Sequence, residues 1–274
     1  MTTLIVGGSG FLGTELIRQA AALGHTTAAT YATKPDTAPQ AKWHSLDLTK
    51  ARHLKEVMAE VRPRVVINVS SSKADWTVTA QGPIRIAMAA ARYGSRFIHV
   101  SSDAVFSGTR VHYDESCPPD PLTPYGAAKA AAETGVLTVY PEATVARTSL
   151  IIGHGRSVHE RVVHELAAGR DGALYTDDIR CPVYVEDLAA ALLELAESGA
   201  TGIRHLAGTD AVSRYELGTL IARRDGLDAS RLRTGLRAKS TLPGGLDVRL
   251  DSRATQATLR TTLRGARLFC TELA

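Results

Sequence analysis

This 274-residue chain contains no run of about 18 apolar residues, which excludes a helix long enough to cross a bilayer. It enters an apolar strand at once, without the basic stretch and apolar core of a signal peptide. The expectation is a cytoplasmic protein with no membrane partner. Cysteine is scarce. Cys117, Cys181 and Cys270 are far apart and lack metal-ligand spacing, so they read as thiols in a reducing compartment and no metal is expected. Aromatic residues make up 5% of the chain, and no basic run is interleaved with them. The formal charge of +4, from 32 basic and 28 acidic residues, therefore describes a solvated surface that mildly attracts anions. Nucleic acid is not an expected partner. Lysine is rare as well, supplying seven of the 32 basic residues. In a chain that prefers arginine this strongly, a lysine inside a predicted helix draws notice, and Lys129 is one.

What is present is a regular alternation. Hydrophobic residues make up 44% of the chain, enough for a sizeable core. Apolar runs at Leu4–Val6, Thr26–Thr30, Val65–Val69, Phe97–Val100 and Thr144–Ala146 predict strands. Helical periodicity fills the gaps at Leu12–Leu23, Ala51–Val61, Pro83–Tyr93 and Tyr125–Val139. Continuous apolar strands alternating with helices imply a parallel sheet covered on both faces. The fold class expected is α/β, a doubly wound parallel sheet of Rossmann type, with ligands at the carboxyl ends of the strands. Beyond Arg147 the rhythm loosens. Helices are predicted at Val158–Ala168, Val185–Glu197, Arg214–Arg224 and near Ser252–Leu259, among loops rich in Gly, Thr and Asp. Residues 1–150 are read as a dinucleotide-binding domain. Residues 151–274 are read as a smaller substrate-binding lobe, with some segments returning to the sheet.

The stretch TLIVGGSGFLG at Thr3–Gly13 carries the first chemical signal. Gly7 permits the tight turn out of the strand, and Gly10 has no Cβ to block a phosphate. Gly13 lets the helix pack closely, and the helix N-terminus offers N–H groups to an anion. The motif lies between a predicted strand and a predicted helix, the context it requires. After the second strand comes Tyr31-Ala32-Thr33-Lys34, with no acid before Asp36. Thr33 and Lys34 suit a 2′-phosphate, so NADP(H) is favoured over NAD(H); the plain alternative is a solvated lysine. Asp47, after a short third extended segment, either accepts from an adenine amino group or caps the helix that starts near Thr49.

The second signal is Ser102 at the end of FIHVSSDAVFSG, followed by Tyr125 and Lys129. Tyr and Lys four apart share a helix face. A phenol with pKa near 10 is a poor acid–base group at neutral pH, and a neighbouring ammonium lowers that pKa. The tyrosine can then protonate a carbonyl oxygen as hydride reaches the carbon, while a serine hydroxyl holds the same oxygen. Lys129 could also hold the nicotinamide ribose.

With these residues in register the chain resembles an extended short-chain dehydrogenase/reductase, and within that superfamily the dTDP-4-dehydrorhamnose reductase group. The matching segments are VGGSGFLG, RPRVVIN, FIHVSSDAVFSG, DPLTPYGAAKAAAE, ARTSLIIG and CPVYVEDLA. The resemblance implies reduction of a keto-deoxysugar nucleotide, or of a related ketone, and leaves a homodimer open. It puts the family's hydroxyl role on Ser102 and its acid–base pair on Tyr125 and Lys129. It places Phe11 and Leu12 at the cofactor diphosphate, Leu48, Asn68, Val69, Ser70 and Ser101 along the cofactor, and Arg147 and Thr148 under the nicotinamide end. Ser71, Asp103, Ala104, Leu150 and Arg180 fall on the substrate. Ala104 and Leu150 stand where the family often has Tyr and Trp, so the pocket wall differs. Sugar-nucleotide dehydratases carry Glu where Ala104 stands, which argues against water loss. An epimerase, and a cofactor-binding regulatory subunit without catalysis, are the alternatives; the retained Ser102, Tyr125 and Lys129 count against the latter.

The remaining polar residues carry less. His99 reads as a packed core histidine, and His159 and His164 are not spaced for a metal. Asp177, Asp178 and Arg180 bind a polar substrate or stabilise a turn. Trp76 lines a pocket or packs. Arg231, Arg233 and Arg237 meet substrate phosphates or, by default, form a solvated basic face.

Overall fold

The computed structural model describes residues 1–36 and 38–272. The chain forms two compact units. The first comprises Met1–Ser102, Pro124–Arg147 and Ala189–Arg204; the second comprises Asp103–Thr123, Thr148–Leu188 and the chain from His205 onward.

The expected alternation is present. The central sheet is built from β1 (Thr2–Val6), β2 (Thr26–Tyr31), β3 (Ala41–Ser45), β4 (Val65–Asn68), β5 (Arg96–Ser102), β6 (Thr144–Thr148) and β7 (Gly202–Leu206). Its strand order is β3-β2-β1-β4-β5-β6-β7. From β3 to β5 every register is parallel, with Ile5 opposite both Ala29 and Ile67, and Ile67 opposite Ile98. The order reverses beside β1, where a doubly wound sheet opens its ligand crevice. The helices between these strands are α1 (Phe11–Ala22), α2 (Ala51–Val61), α3 (Gly82–Tyr93) and α4 (Pro124–Val139). Their apolar faces and the strands bury a core that includes Leu4, Met58, Ile86, Phe97 and Val145.

The second unit has its own core, including Ile152, Val163, Tyr184, Leu217, Ile221 and Phe269. The later helices are α5 (Val158–Ala167), α6 (Val185–Ser198), α7 (Arg214–Arg224), α8 (Arg253–Gln256) and α9 (Ala266–Glu272). Ser157 and Glu160 form a reciprocal capping box on α5, and the Ser213 hydroxyl caps α7. Short two-stranded ribbons link them, such as Val111–Tyr113 with Val248–Leu250.

Three elements depart from the expectation. β7 is an added strand in a stretch read as loop, because Arg204 and His205 interrupt its apolar pattern. α9 is an added helix, defined by the burial of Ala266, Phe269 and Cys270. The short helix expected near Ser252–Leu259 shrinks to one turn.

Candidate active site

The cradle after β1 is held by backbone geometry. Gly7 has φ +87°, and a Cβ there would lie 2.9 Å from the Ser70 Cα and backbone N, so only glycine fits. Its N–H donates to Thr30 Oγ1 at 3.1 Å, and the Gly10 N–H donates back to the Gly7 carbonyl at 3.1 Å. A Cβ on Gly13 would run into the Gly7 carbonyl oxygen. A Cβ on Gly10 would meet one neighbour, the Gly7 oxygen at 3.3 Å. Gly10 is the N-cap of α1 and offers no side chain to its first N–H groups. N–H groups at such a helix start form a donor set suited to an anion.

A cavity of about 450 Å³ opens at this point, lined by Gly7, Gly10, Tyr31, Ala32, Asp47, Leu48, Val69, Ser70 and Ser71. The residues fit a dinucleotide: glycines where a phosphate passes, apolar walls, and a carboxylate at one end. Thr33 and Lys34 follow Ala32 in the exposed loop and are not among the lining residues. Asp47 does not cap α2, which begins at Ala51 with Lys50 as its N-cap. Asp47 Oδ1 instead accepts from the Thr49 N–H at 2.9 Å and the Thr49 hydroxyl at 2.6 Å. The second of its expected alternatives is corrected accordingly. Phe11 is half-buried and Leu12 buried at the start of α1.

Asn68 underlies the cradle. Its Oδ1 accepts from the Ser70 N–H at 3.1 Å and the Ser70 hydroxyl at 2.6 Å, while its Nδ2 lies 3.1 Å from His99 Nδ1. Because Oδ1 accepts twice, Nδ2 must donate and His99 Nδ1 must accept. His99 is fully buried, and burial beside Lys129 pushes its pKa well down, so the ring is neutral with its proton on Nε2. The packed core histidine therefore also fixes the loop that Gly7 rests on.

The chemical residues converge on α4. Tyr125 is half-buried in its first turn, and Lys129 is buried one turn later. Lys129 Nζ donates to the Val100 carbonyl at 2.9 Å. Burial lowers the pKa of its amine to about 8, against the upward pull of Glu133. Ser102 ends β5, half-buried. The Ser101 hydroxyl donates to Glu133 Oε1 at 2.5 Å. Arg147 grips the same carboxylate with Nη2 at 2.8 Å and Nε at 3.1 Å. Arg147, expected at the nicotinamide, thus spends its guanidinium on Glu133, a residue the sequence reading missed. Its only sequence signal was its place on the same helix face, four residues after Lys129.

In the second unit several expected cofactor and substrate residues are tied into the structure. The Thr148 hydroxyl donates to the Leu206 carbonyl at 2.8 Å. Leu150 packs in the core of this unit. Asp103 Oδ2 accepts from the Ser149 hydroxyl at 2.6 Å. Arg180 is buried, donating to the carbonyls of Ile179, Gly245 and Leu246, and pairs with Asp178 at 2.9 Å. Asp178 also pairs with Arg214 at 3.2 Å and Arg237 at 2.9 Å. Arg237 is therefore half-buried and paired rather than solvated, whereas Arg231 and Arg233 are exposed as expected. Asp177 accepts from the backbone N–H groups of Arg237 and Ala238. Ala104 is half-buried. Trp76 is half exposed.

Comparison with known proteins decides the family. The model of the RmlD substrate binding domain family matches residues 1–264. The chain belongs to this family. The dTDP-4-dehydrorhamnose reductase of Mycobacterium tuberculosis is 34% identical over 240 residues, spanning 84% of this chain and 77% of that relative. Two solved structures share the fold of this RmlD-family chain. One is the dTDP-4-dehydrorhamnose reductase of Bacillus anthracis in complex with NADP, with TM-score 0.85 and 20% identity over 99% of this chain and 98% of that one. The other is the WbmG enzyme of Bordetella bronchiseptica in complex with NAD, with TM-score 0.81 and 20% identity over 99% and 94%.

Proposed function

We propose that this RmlD-family chain is an NAD(P)H-dependent reductase of a keto-deoxysugar nucleotide, with NADPH the preferred coenzyme. The observation that carries the reading is the buried Lys129, tied to β5 on the helix that bears Tyr125. Such a lysine costs stability, and a charge kept at that cost marks a functional site. When bound, the nicotinamide coenzyme supplies hydride to the ketone carbon. Gly7, Gly10 and the first N–H groups of α1 hold the diphosphate, with Leu48, Asn68, Val69 and Ser70 along its adenosine side. Tyr125 donates its proton to the ketone oxygen, Ser102 donates a hydrogen bond to that oxygen, and Lys129 lowers the tyrosine pKa and holds the ribose. Thr33 and Lys34 meet the 2′-phosphate, and Asp47 meets the adenine. Ser71, Asp103 and Ala104 contribute to substrate selection, the buried Arg180 by holding the segment around Gly245. We place the reaction in the cytoplasm, a reading supported by three cysteines that form no disulfide.

Tyr125→Phe tests the chemistry. NADPH affinity is expected to stay within about three-fold, while reduction of a dTDP-4-keto-6-deoxysugar falls by roughly 10²–10⁴, the usual contribution of a positioned general acid. Undiminished turnover would remove the mechanism. Coenzyme choice is read from kcat/KM with NADPH and NADH. Lys34→Ala is expected to lower the NADPH value about ten-fold and leave NADH unchanged, since one exposed charge-assisted contact to phosphate is lost.

A further inference from the structure

Glu133 has no part in the chemistry just described, yet its carboxylate accepts from both Ser101 and Arg147. It is 2% exposed, two turns beyond Tyr125 and one beyond Lys129 on α4. Buried carboxylates are costly, and an apolar replacement for a buried ion pair is often neutral or stabilising. Packing alone therefore gives no reason for a charge here. The connections do. Val100 and Ser101 are consecutive on β5: the Val100 carbonyl accepts from Lys129, and the Ser101 hydroxyl donates to Glu133. The strand end is thus pinned twice, to successive turns of one helix. Arg147, from β6, neutralises the carboxylate on its other side. Ser102 is the next residue of β5. Side chains alternate along a strand, so the rotation fixed at Ser101 sets the direction in which Ser102 leaves.

Resting on the reductase reading above, we propose that Glu133 is a positioning residue: it holds the serine end of β5 in register with the Tyr125–Lys129 helix, with Arg147 as its counter-ion. Its charge has a second consequence. Glu133 and the neutral His99 face the Lys129 amine, and Arg147 pairs with the carboxylate beyond it. Glu133 supports the ammonium against burial. Without that charge Lys129 deprotonates at lower pH, Tyr125 keeps its proton to higher pH, and the alkaline fall in reduction rate moves upward.

Ser101→Ala removes the strand tie and leaves the Glu133–Arg147 pair intact. It is expected to lower kcat about ten-fold, since small misplacements of reacting groups are costly, and to lower Tm by the loss of one buried charge-assisted hydrogen bond. Glu133→Gln is expected to lower kcat further and shift the alkaline limb upward. Glu133→Asp returns the limb toward its original position without restoring kcat, because the shorter carboxylate no longer reaches Ser101. An unchanged kcat in Ser101→Ala, or an unshifted limb in folded Glu133→Gln, overturns the proposal. If Glu133→Gln does not fold, Ser101→Ala decides alone. If the wild-type chain reduces no keto-sugar nucleotide with either coenzyme, the reductase reading fails instead. Backbone hydrogen exchange at residues 99–102 then tests the tie by itself: faster exchange in Ser101→Ala supports it, and unchanged exchange refutes it.

Discussion

Lys129 is charged at neutral pH in a place where burial opposes the charge, and the cost has a definite pH signature. Its folded pKa, about 8, lies below the roughly 10.4 of an unfolded lysine. The folded state therefore holds this proton less tightly than the unfolded state does. The penalty is present in full below about pH 8 and fades as pH rises toward the unfolded value. Lys129→Met keeps the bulk and removes the charge. It is expected to raise Tm by several degrees at pH 7 while abolishing turnover, and the gain over wild type should shrink between about pH 8 and pH 10. Thermal melts of both proteins across that range decide the matter. A Tm gain that grows with pH would contradict the buried-ammonium account. This residue was legible in the sequence because lysine is rare and a tyrosine stands one turn earlier. Glu133 was not, because its partners Ser101 and Arg147 lie 32 and 14 residues away and no local pattern joins them.

At the scale of the element, the turn from β1 into α1 separates two jobs of glycine that look alike in the motif. A Cβ at Gly13 meets the chain itself, the Gly7 carbonyl and the Gly8 Cα at 2.7 Å. A Cβ at Gly10 meets only the Gly7 oxygen at 3.3 Å, a contact that a small shift relieves. Gly13→Ala is thus expected to cost about 1–3 kcal/mol of stability by overpacking. Gly10→Ala is expected to melt near wild type and still lose coenzyme affinity by an order of magnitude or more, because its methyl stands where a diphosphate passes. Calorimetric titration with NADPH beside thermal melts separates the two; a Gly10→Ala protein that binds NADPH normally would mean the phosphates run elsewhere. The elements around this turn were readable because parallel strands buried on both faces are continuous apolar runs and their helices are amphipathic. β7 escaped because it is a strand by pairing, its Arg204 and His205 breaking the run. Arg237 was misjudged for a related reason. Burial depends on which distant segment covers a residue, as when Arg237 meets Asp178, 59 residues away.

For the whole molecule, the question is what a charge of +4 does when spread over 12289 Å² of surface. Many arginines are neutralised locally: Arg52 by Glu56 at 2.8 Å, Arg253 by Asp251 at 2.6 Å, and Arg267 by Glu216 at 2.5 Å. Paired charges cancel beyond a few ångströms, and the remaining field is screened within about 8 Å at physiological ionic strength. A phosphate lattice such as DNA needs several unpaired cations in a row, and its binding then falls steeply with salt. A single diphosphate in the cradle after β1 is, on the proposed reading, held differently, by directed N–H groups at the start of α1. Raising NaCl from 0.05 to 0.5 M is therefore expected to raise the KM for NADPH by no more than about three-fold, with no retention of a 30-base-pair duplex at 0.15 M salt. Steady-state kinetics along the salt series and a mobility-shift titration measure both. A log–log slope of KM against salt steeper than about +2 would show that unpaired surface charge, rather than the backbone donors of the cradle, supplies the attraction.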